Sequence, residues 1–192
     1  MNRNNPFVEG APRILGVFAH PDDETFCAGG TFAKYIAGGA EVMVVSATYG
    51  VAGQIRSPRV ATRRTLAAVR EQELHLACQR LGVQHARCLE YVDGTLSSVD
   101  AEELTGRVVK IIRSFRPDVV IPFGPDGGYG HPDHMAISAA TTAACQRSGK
   151  SRPVSRAACG RIASTPTSVS YTFGGCCSSS WRFQWARVAL AS

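Results

Sequence analysis

The strongest constraint on the fold is a set of apolar runs that do not alternate. RILGVFAH (13–20), EVMVVSAT (41–48) and DVVIPF (118–123) place apolar side chains at successive positions, and ARCLEY (86–91) is a weaker run of the same kind. A strand that shows one face to water alternates. A strand apolar at every position is buried on both faces, which is the condition of a parallel sheet covered by helices. Between the runs lie helical patterns. Residues 25–37 read as a short helix ending at Gly38-Gly39, and 60–81 as a longer one ended by Gly82. Asp100, with Glu103 three residues on, opens a third with a capping-box pattern, and Pro117 stops it. Pro132 suits the first turn of a fourth, where its missing N–H costs nothing. Strand and helix in alternation predict an α/β fold, a Rossmann-like three-layer sandwich on a mostly parallel sheet.

In such sheets ligands bind outside the carboxyl ends of the strands. Two clusters of ionisable residues fall there. HPDDE (20–24) ends the first run, and GPDGGYGHPDH (124–134) follows the fourth. Either cluster alone has an ordinary explanation. Pro and Asp are turn formers, and Asp133 would favour a helix N-terminus. Two such clusters on one sheet edge are harder to assign to turns. His20, Asp23 and His134 make a two-imidazole, one-carboxylate set that suits Zn²⁺ with a position left open. Such a site acidifies a water, and Asp22 stands ready to take its proton. His131 is placed to donate a proton or to stabilise an oxyanion.

Three further residues stand out, each with two readings. Arg70 lies in the apolar stripe of its helix, between Leu66 and Leu74. Either its stem packs while its head pairs with Glu73, or its head reaches the pocket and holds substrate. Asp93, in the turn VDGT, is either a plain turn residue or a hydrogen-bond partner for a sugar hydroxyl. Tyr129 is either a pocket phenol on a glycine loop or a surface aromatic.

AHPDDE, REQELHLACQRLGV and GGYGHPDH together resemble the LmbE-like or PIG-L-like family of zinc-dependent N-acetylglucosamine deacetylases. That family includes the deacetylases of mycothiol and bacillithiol synthesis and of N-acetylglucosaminyl-phosphatidylinositol. The resemblance covers residues 12–145. It implies hydrolysis of an N-acetyl amide on an N-acetylglucosamine conjugate, a small-molecule partner, with Zn²⁺ or alternatively Fe²⁺ as cofactor. It implies His20, Asp23 and His134 as metal ligands and Asp22 as general base. His131 matches the residue that stabilises the tetrahedral intermediate, Tyr129 one that assists the oxyanion, and Arg70 and Asp93 substrate-holding positions.

Charge divides the chain. Residues 1–133 hold 14 Lys and Arg against 15 Asp and Glu, whereas 134–192 hold 7 basic residues and no acidic one. Residues 146–192 therefore read as an acid-free irregular tail, disordered or frameshifted, standing where family members continue the fold. This leaves a second reading, a catalytically inactive truncated member that keeps the metal site. A nucleic-acid partner is not expected, because the aromatic residues of the tail are not interleaved with its Arg and Lys. A dinucleotide is not expected either, since no G-x-G-x-x-G follows the first run. No run approaches the roughly 18 apolar residues of a membrane span. The N-terminus lacks a signal-type apolar region, so a cytoplasmic protein is expected. The seven cysteines lack zinc-type spacing and read as free thiols. The oligomeric state has no signature in the sequence.

Overall fold

A computed structural model describes residues 11–55, 57–148, 166–168 and 184–186. The first strand, β1 (Arg13–Phe18), is buried at every position after Arg13. It pairs in parallel with β2 (Glu41–Thr48) on one side and with β4 (Val119–Ile121) on the other. β3 (His85–Tyr91) adds to the far side of β2, so the order is β3-β2-β1-β4 and every pair is parallel. The chain winds outward from β1 to β3, then returns past β1 to place β4. The crevice between the carboxyl ends of β1 and β4 is the point where the winding reverses, and there an open α/β sheet binds its ligands.

The helices are α1 (Asp23–Ala37), α2 (Leu66–Leu81), α3 (Ala101–Phe115), a single distorted turn α4 (Gly127–Gly130), and α5 (Pro132–Ser148). α1 packs on α2, α3 packs on α5, and both α1 and α5 lie against β1. Phe18, Phe32, Val44, Leu74, Val108 and Ile137 join the two helical layers to the sheet in one core. Burying side chains of this size contributes about 1.5–3 kcal/mol each. The helix ends follow from local chemistry. Gly82 adopts φ 81° and closes α2, as the αL cap requires. Asp100 accepts the N–H groups of Glu102 and Glu103 at 2.8 and 2.9 Å. Glu103 does not reach back; its carboxylate accepts from the Tyr91 hydroxyl.

Several boundaries differ from the sequence reading, each for a local reason. The second helix starts at Leu66 instead of Val60. Ser57 and Thr62 close turns before it, and the Thr62 N–H donates to the Thr65 hydroxyl at 2.9 Å, a side-chain bond that competes with the helix. The fourth strand is only three residues long, because Pro122 has no N–H to pair. Asp118 precedes it and accepts the Arg13 N–H on its side chain at 2.8 Å. The first helix begins two residues early, at Asp23, so a candidate ligand sits in its first turn.

Within the tail, α5 runs on to Ser148, and Pro166–Ser168 (β5) pairs antiparallel with Gln184–Ala186 (β6) in a two-stranded sheet. That pairing is regular structure the irregular reading did not anticipate. The remainder of 146–192 lies outside the described residues. No helix among the described residues is long and apolar enough to cross a membrane.

Candidate metal centre and active site

Three segments converge at the β1–β4 crevice. His20 sits two residues past the end of β1, Asp23 opens α1, and His134 lies in the first turn of α5. His20 Nδ1 is 3.1 Å from His134 Nε2, and Asp23 Oδ2 is 3.5 Å from each of those nitrogens. The outer nitrogens are already committed. His134 Nδ1 donates to the Gly127 carbonyl at 3.0 Å. His20 Nε2 faces Asp93 Oδ1 at 2.9 Å and Asp133 Oδ2 at 3.4 Å, so it carries its proton. Both inner nitrogens are left with lone pairs pointing at each other and at a carboxylate. Only a cation or a shared proton satisfies that arrangement. Donors about 2.0–2.2 Å from a tetrahedral ion stand roughly 3.3–3.6 Å from one another; both carboxylate–imidazole spacings fall in that range and the two ring nitrogens, at 3.1 Å, lie just inside it, so a small outward shift of the rings lets the residues fit a divalent cation.

The charge pattern agrees. Burial lowers the basicity of both rings. In His20 the hydrogen bond and charge of Asp23, with Asp93 and Asp133 behind, outweigh burial and raise the pKa above the usual histidine value. In His134 burial prevails, although Asp23 and the Gly127 carbonyl oppose it, and the pKa falls. His131 is a geometric rival for a place in the ligand set: His20, His131 and His134 each offer a ring nitrogen within 4.8 Å of the others.

Asp22 is the N-cap of α1 and has φ 106°, a left-handed conformation costly for a non-glycine residue. Two groups hold it there. Its N–H donates to Glu24 Oε2 at 2.9 Å, and its Oδ2 accepts from Arg70 Nη2 at 2.9 Å. Glu24 is 1% exposed, and burial raises its pKa. Partial burial also lifts the Asp22 pKa above the ordinary aspartate value, against the lowering effect of Arg70. The sequence reading in which the Arg70 head reaches the pocket did not name Asp22 as its partner. Its head passes Glu73 and reaches the pocket edge, where it donates to the Pro21 carbonyl and to Asp22.

Arg70 can pass only because residue 50 is glycine. Gly50 has φ 67°, and a Cβ there would lie 2.7 Å from Arg70 Nε. Gly50→Ala should therefore displace the guanidinium from Asp22 and destabilise the fold by roughly 1–2 kcal/mol, the cost of a left-handed non-glycine residue. Chemical denaturation of the metal-free protein reads this. An unchanged midpoint would mean that the loop refits without strain.

His131 stacks on His134 with ring centroids 4.6 Å apart. Its Nδ1 accepts the Asp133 N–H at 3.2 Å, which leaves Nε2 as the proton-bearing atom of the neutral ring. Tyr129 is 61% exposed and sets its ring edge-on to His131 and His134 at 5.9 and 5.2 Å. Burial, then the charges of Asp23 and Asp22, raise its pKa. Gly127, at φ 64°, lets α4 turn under His134; a Cβ there would meet the His134 Cβ at 2.9 Å.

Two carboxylates make contacts within the chain that the sequence did not single out. Asp93 has both oxygens occupied inside the protein: Oδ1 on His20 and Oδ2 on the Ala52 N–H at 2.7 Å. Asp133, read only as a helix-start residue, is fully buried and accepts the N–H groups of Gly94 and Leu96 at 2.7 and 3.0 Å. It thereby fixes the turn that carries Asp93. Only its place inside HPDH hinted at a role, since its partners lie 37 and 39 residues away. Cys27, Cys78 and Cys88 are free thiols, pushed up to about 12 by burial, and take no part in the centre.

The family model for GlcNAc-PI de-N-acetylase, PIG-L, matches residues 15–145. The 1D-myo-inositol 2-acetamido-2-deoxy-alpha-D-glucopyranoside deacetylase of Kineococcus radiotolerans is 37% identical over 159 residues, covering 69% of this chain and 44% of that protein. The protein of the same name from Mycolicibacterium smegmatis is 40% identical over 154 residues, covering 70% of this chain and 53% of its own. Among solved structures, N,N'-diacetylchitobiose deacetylase from Pyrococcus horikoshii superposes with a TM-score of 0.64 at 29% identity, covering 76% of this chain and 53% of that one. The chain thus spans about half the length of the curated relatives it matches. With a matched segment that takes in both ionisable clusters and the crevice between them, this chain belongs to the PIG-L family of de-N-acetylases.

Proposed function

We propose that the chain hydrolyses the N-acetyl group of a small N-acetylglucosamine conjugate, with Zn²⁺ held by His20, Asp23 and His134. The observation that carries this reading is the pair of inward lone pairs on His20 Nδ1 and His134 Nε2 beside Asp23, with Asp22 held open next to them. A bound Zn²⁺, or Fe²⁺ in its place, supplies Lewis acidity that polarises an amide carbonyl and makes a water a better nucleophile at neutral pH. The remaining work belongs to side chains. Asp22, half exposed at the crevice, takes a proton from the attacking water at its free carboxylate oxygen, while Arg70 holds the other, and returns that proton to the amine nitrogen as the C–N bond breaks and acetate and the free amine leave. In this reading His131 Nε2–H donates to the amide oxygen as it gains charge, and the Tyr129 hydroxyl supports the same charge from the loop.

The substrate in this reading is a small molecule, met by the protein in the cytoplasm. The kinship with inositol-linked substrates in the names of the relatives favours a conjugate of glucosamine with a polyol. The second reading, an inactive chain that keeps the metal, is favoured by the span of only about half of those relatives. Acetate release over a panel of N-acetylglucosamine conjugates, with metal content measured on the same sample, separates the two. Metal with turnover supports hydrolysis; metal without turnover on any conjugate supports the inactive reading.

His131→Ala should keep the metal and lower kcat by about 10²-fold or more, as loss of an oxyanion donor does. Loss of metal in that variant would instead place His131 in the ligand set.

A further inference from the structure

We propose that Glu24 is a positioning residue for the general base: its buried carboxylate holds the backbone turn that presents Asp22 to the crevice. Asp22 is the N-cap of α1, where an Asp ordinarily folds its side chain back onto the N–H of the second or third helical residue. Here it makes no such bond. Its carboxylate is turned to Arg70 instead, on a backbone at φ 106°. Glu24, the second residue of the helix, reaches back to the Asp22 N–H at 2.9 Å. That is one half of a capping box, made one residue early and without the other half. The Asp22 carbonyl accepts the Thr25 and Phe26 N–H groups at 3.0 and 3.1 Å, so the helix start is tied through backbone and Glu24 alone. The cap is thereby held at its N–H and its carbonyl, and its carboxylate is left for chemistry.

The surroundings of Glu24 fit this role. It is 1% exposed; Oε2 takes the Asp22 N–H and Oε1 the Thr25 hydroxyl at 2.6 Å. No ion pair among the described residues includes it. A buried carboxylate without a cation costs folding free energy that an apolar side chain of the same size would not. The Thr25 contact joins neighbours in sequence and fixes the angle of the carboxylate. What that carboxylate then secures is Asp22 in a backbone region costly for any residue but glycine. The adjacent ligand is braced in the same way, since Asp23 Oδ2 accepts the His20 N–H at 2.8 Å. Two consecutive side chains thus reach back along one turn, Asp23 behind His20 and Glu24 behind Asp22.

The inference rests on Asp22 as the base of the proposed function, and its test includes a readout that needs no turnover. Glu24→Met keeps the size of the side chain and removes the acceptor, so the core stays filled. In the full chain it is expected to retain the metal and KM and to lower kcat roughly 10–100-fold, the scale of a misplaced catalytic group. Glu24→Gln offers a carboxamide oxygen to the Asp22 N–H and an NH₂ to the Thr25 hydroxyl, so it should restore most of kcat. In an Asp22→Asn background, Glu24→Met should cost nothing further, because the oxygen it positions is already gone. An equal loss in both backgrounds would mark a general effect on the fold and overturn the proposal. So would wild-type kcat in Glu24→Met, loss of its metal, or a Glu24→Gln protein as impaired as Glu24→Met. Exchange of the Asp22 amide proton, read by NMR, decides the same point without substrate. Protection in the wild type and Glu24→Gln with faster exchange in Glu24→Met supports positioning, and equal rates in all three overturn it. An absence of acetate release by the wild type would instead refute the proposed function, with the amide exchange still reading the role of Glu24.

Discussion

Asp22→Asn should keep its metal and lose turnover by about 10²–10⁴-fold, the range for removal of a positioned general base. The amide is nearly isosteric and can still accept from Arg70 at its oxygen, so the cap of α1 and the strained φ of 106° should survive. What disappears is the carboxylate oxygen that takes the proton. The loss should fall on kcat with KM little changed, because the interaction forms as the water is activated. Steady-state kinetics with metal content measured alongside decides the matter. Near wild-type turnover would mean that Asp22 is not the base. Loss of metal would mean that the carboxylate belongs to the ligand set.

His134→Ala should abolish stoichiometric metal binding and reduce turnover to background. His134 is 2% exposed, and its Nε2 is one of the two lone pairs that converge on the centre. The wild-type site carries a pH dependence of predictable sign. The carboxylates around His20 raise its pKa above the usual histidine value, so below that raised value the ring binds a proton the metal must displace. Zn²⁺ affinity should therefore strengthen as pH rises through a range above the ordinary histidine pKa, then level off. Affinity independent of pH across that range would argue against His20 as a ligand. The removal of a buried ring that stacks 4.0 Å from Phe123 also costs packing, so His134→Gln is the companion variant, expected to lose metal while disturbing the core less.

Much of this site is legible in the sequence because its chemistry is contiguous. AHPDDE and HPDH each hold candidate ligands and a catalytic candidate within a few residues, and each follows an apolar run whose end must lie on the binding edge of a parallel sheet. The parts that escaped depend on approach through space. Glu73 stands three residues on from Arg70, on the same face of the helix, yet the chosen partner is Asp22, 48 residues away, reached because Gly50 leaves room. Asp93 looks like an ordinary turn residue until the Asp133 carboxylate, 39 residues on from Gly94, pins the turn against His20. Helix 66–81 lost its expected first six residues to side-chain hydrogen bonds of Thr62 and Thr65, which a hydrophobic pattern does not register. In each case the period of the apolar residues set the element, and polar atoms set its limits.

The central claim is that a divalent metal at His20, Asp23 and His134 drives amide hydrolysis. Its most direct test is acetate release from an N-acetylglucosamine–inositol conjugate by the full chain as purified, after chelation, and after Zn²⁺ is restored. The account predicts turnover that vanishes on chelation, returns with Zn²⁺ in the wild type, and stays absent in His134→Ala. Acetate release that persists undiminished in the chelated protein would contradict it.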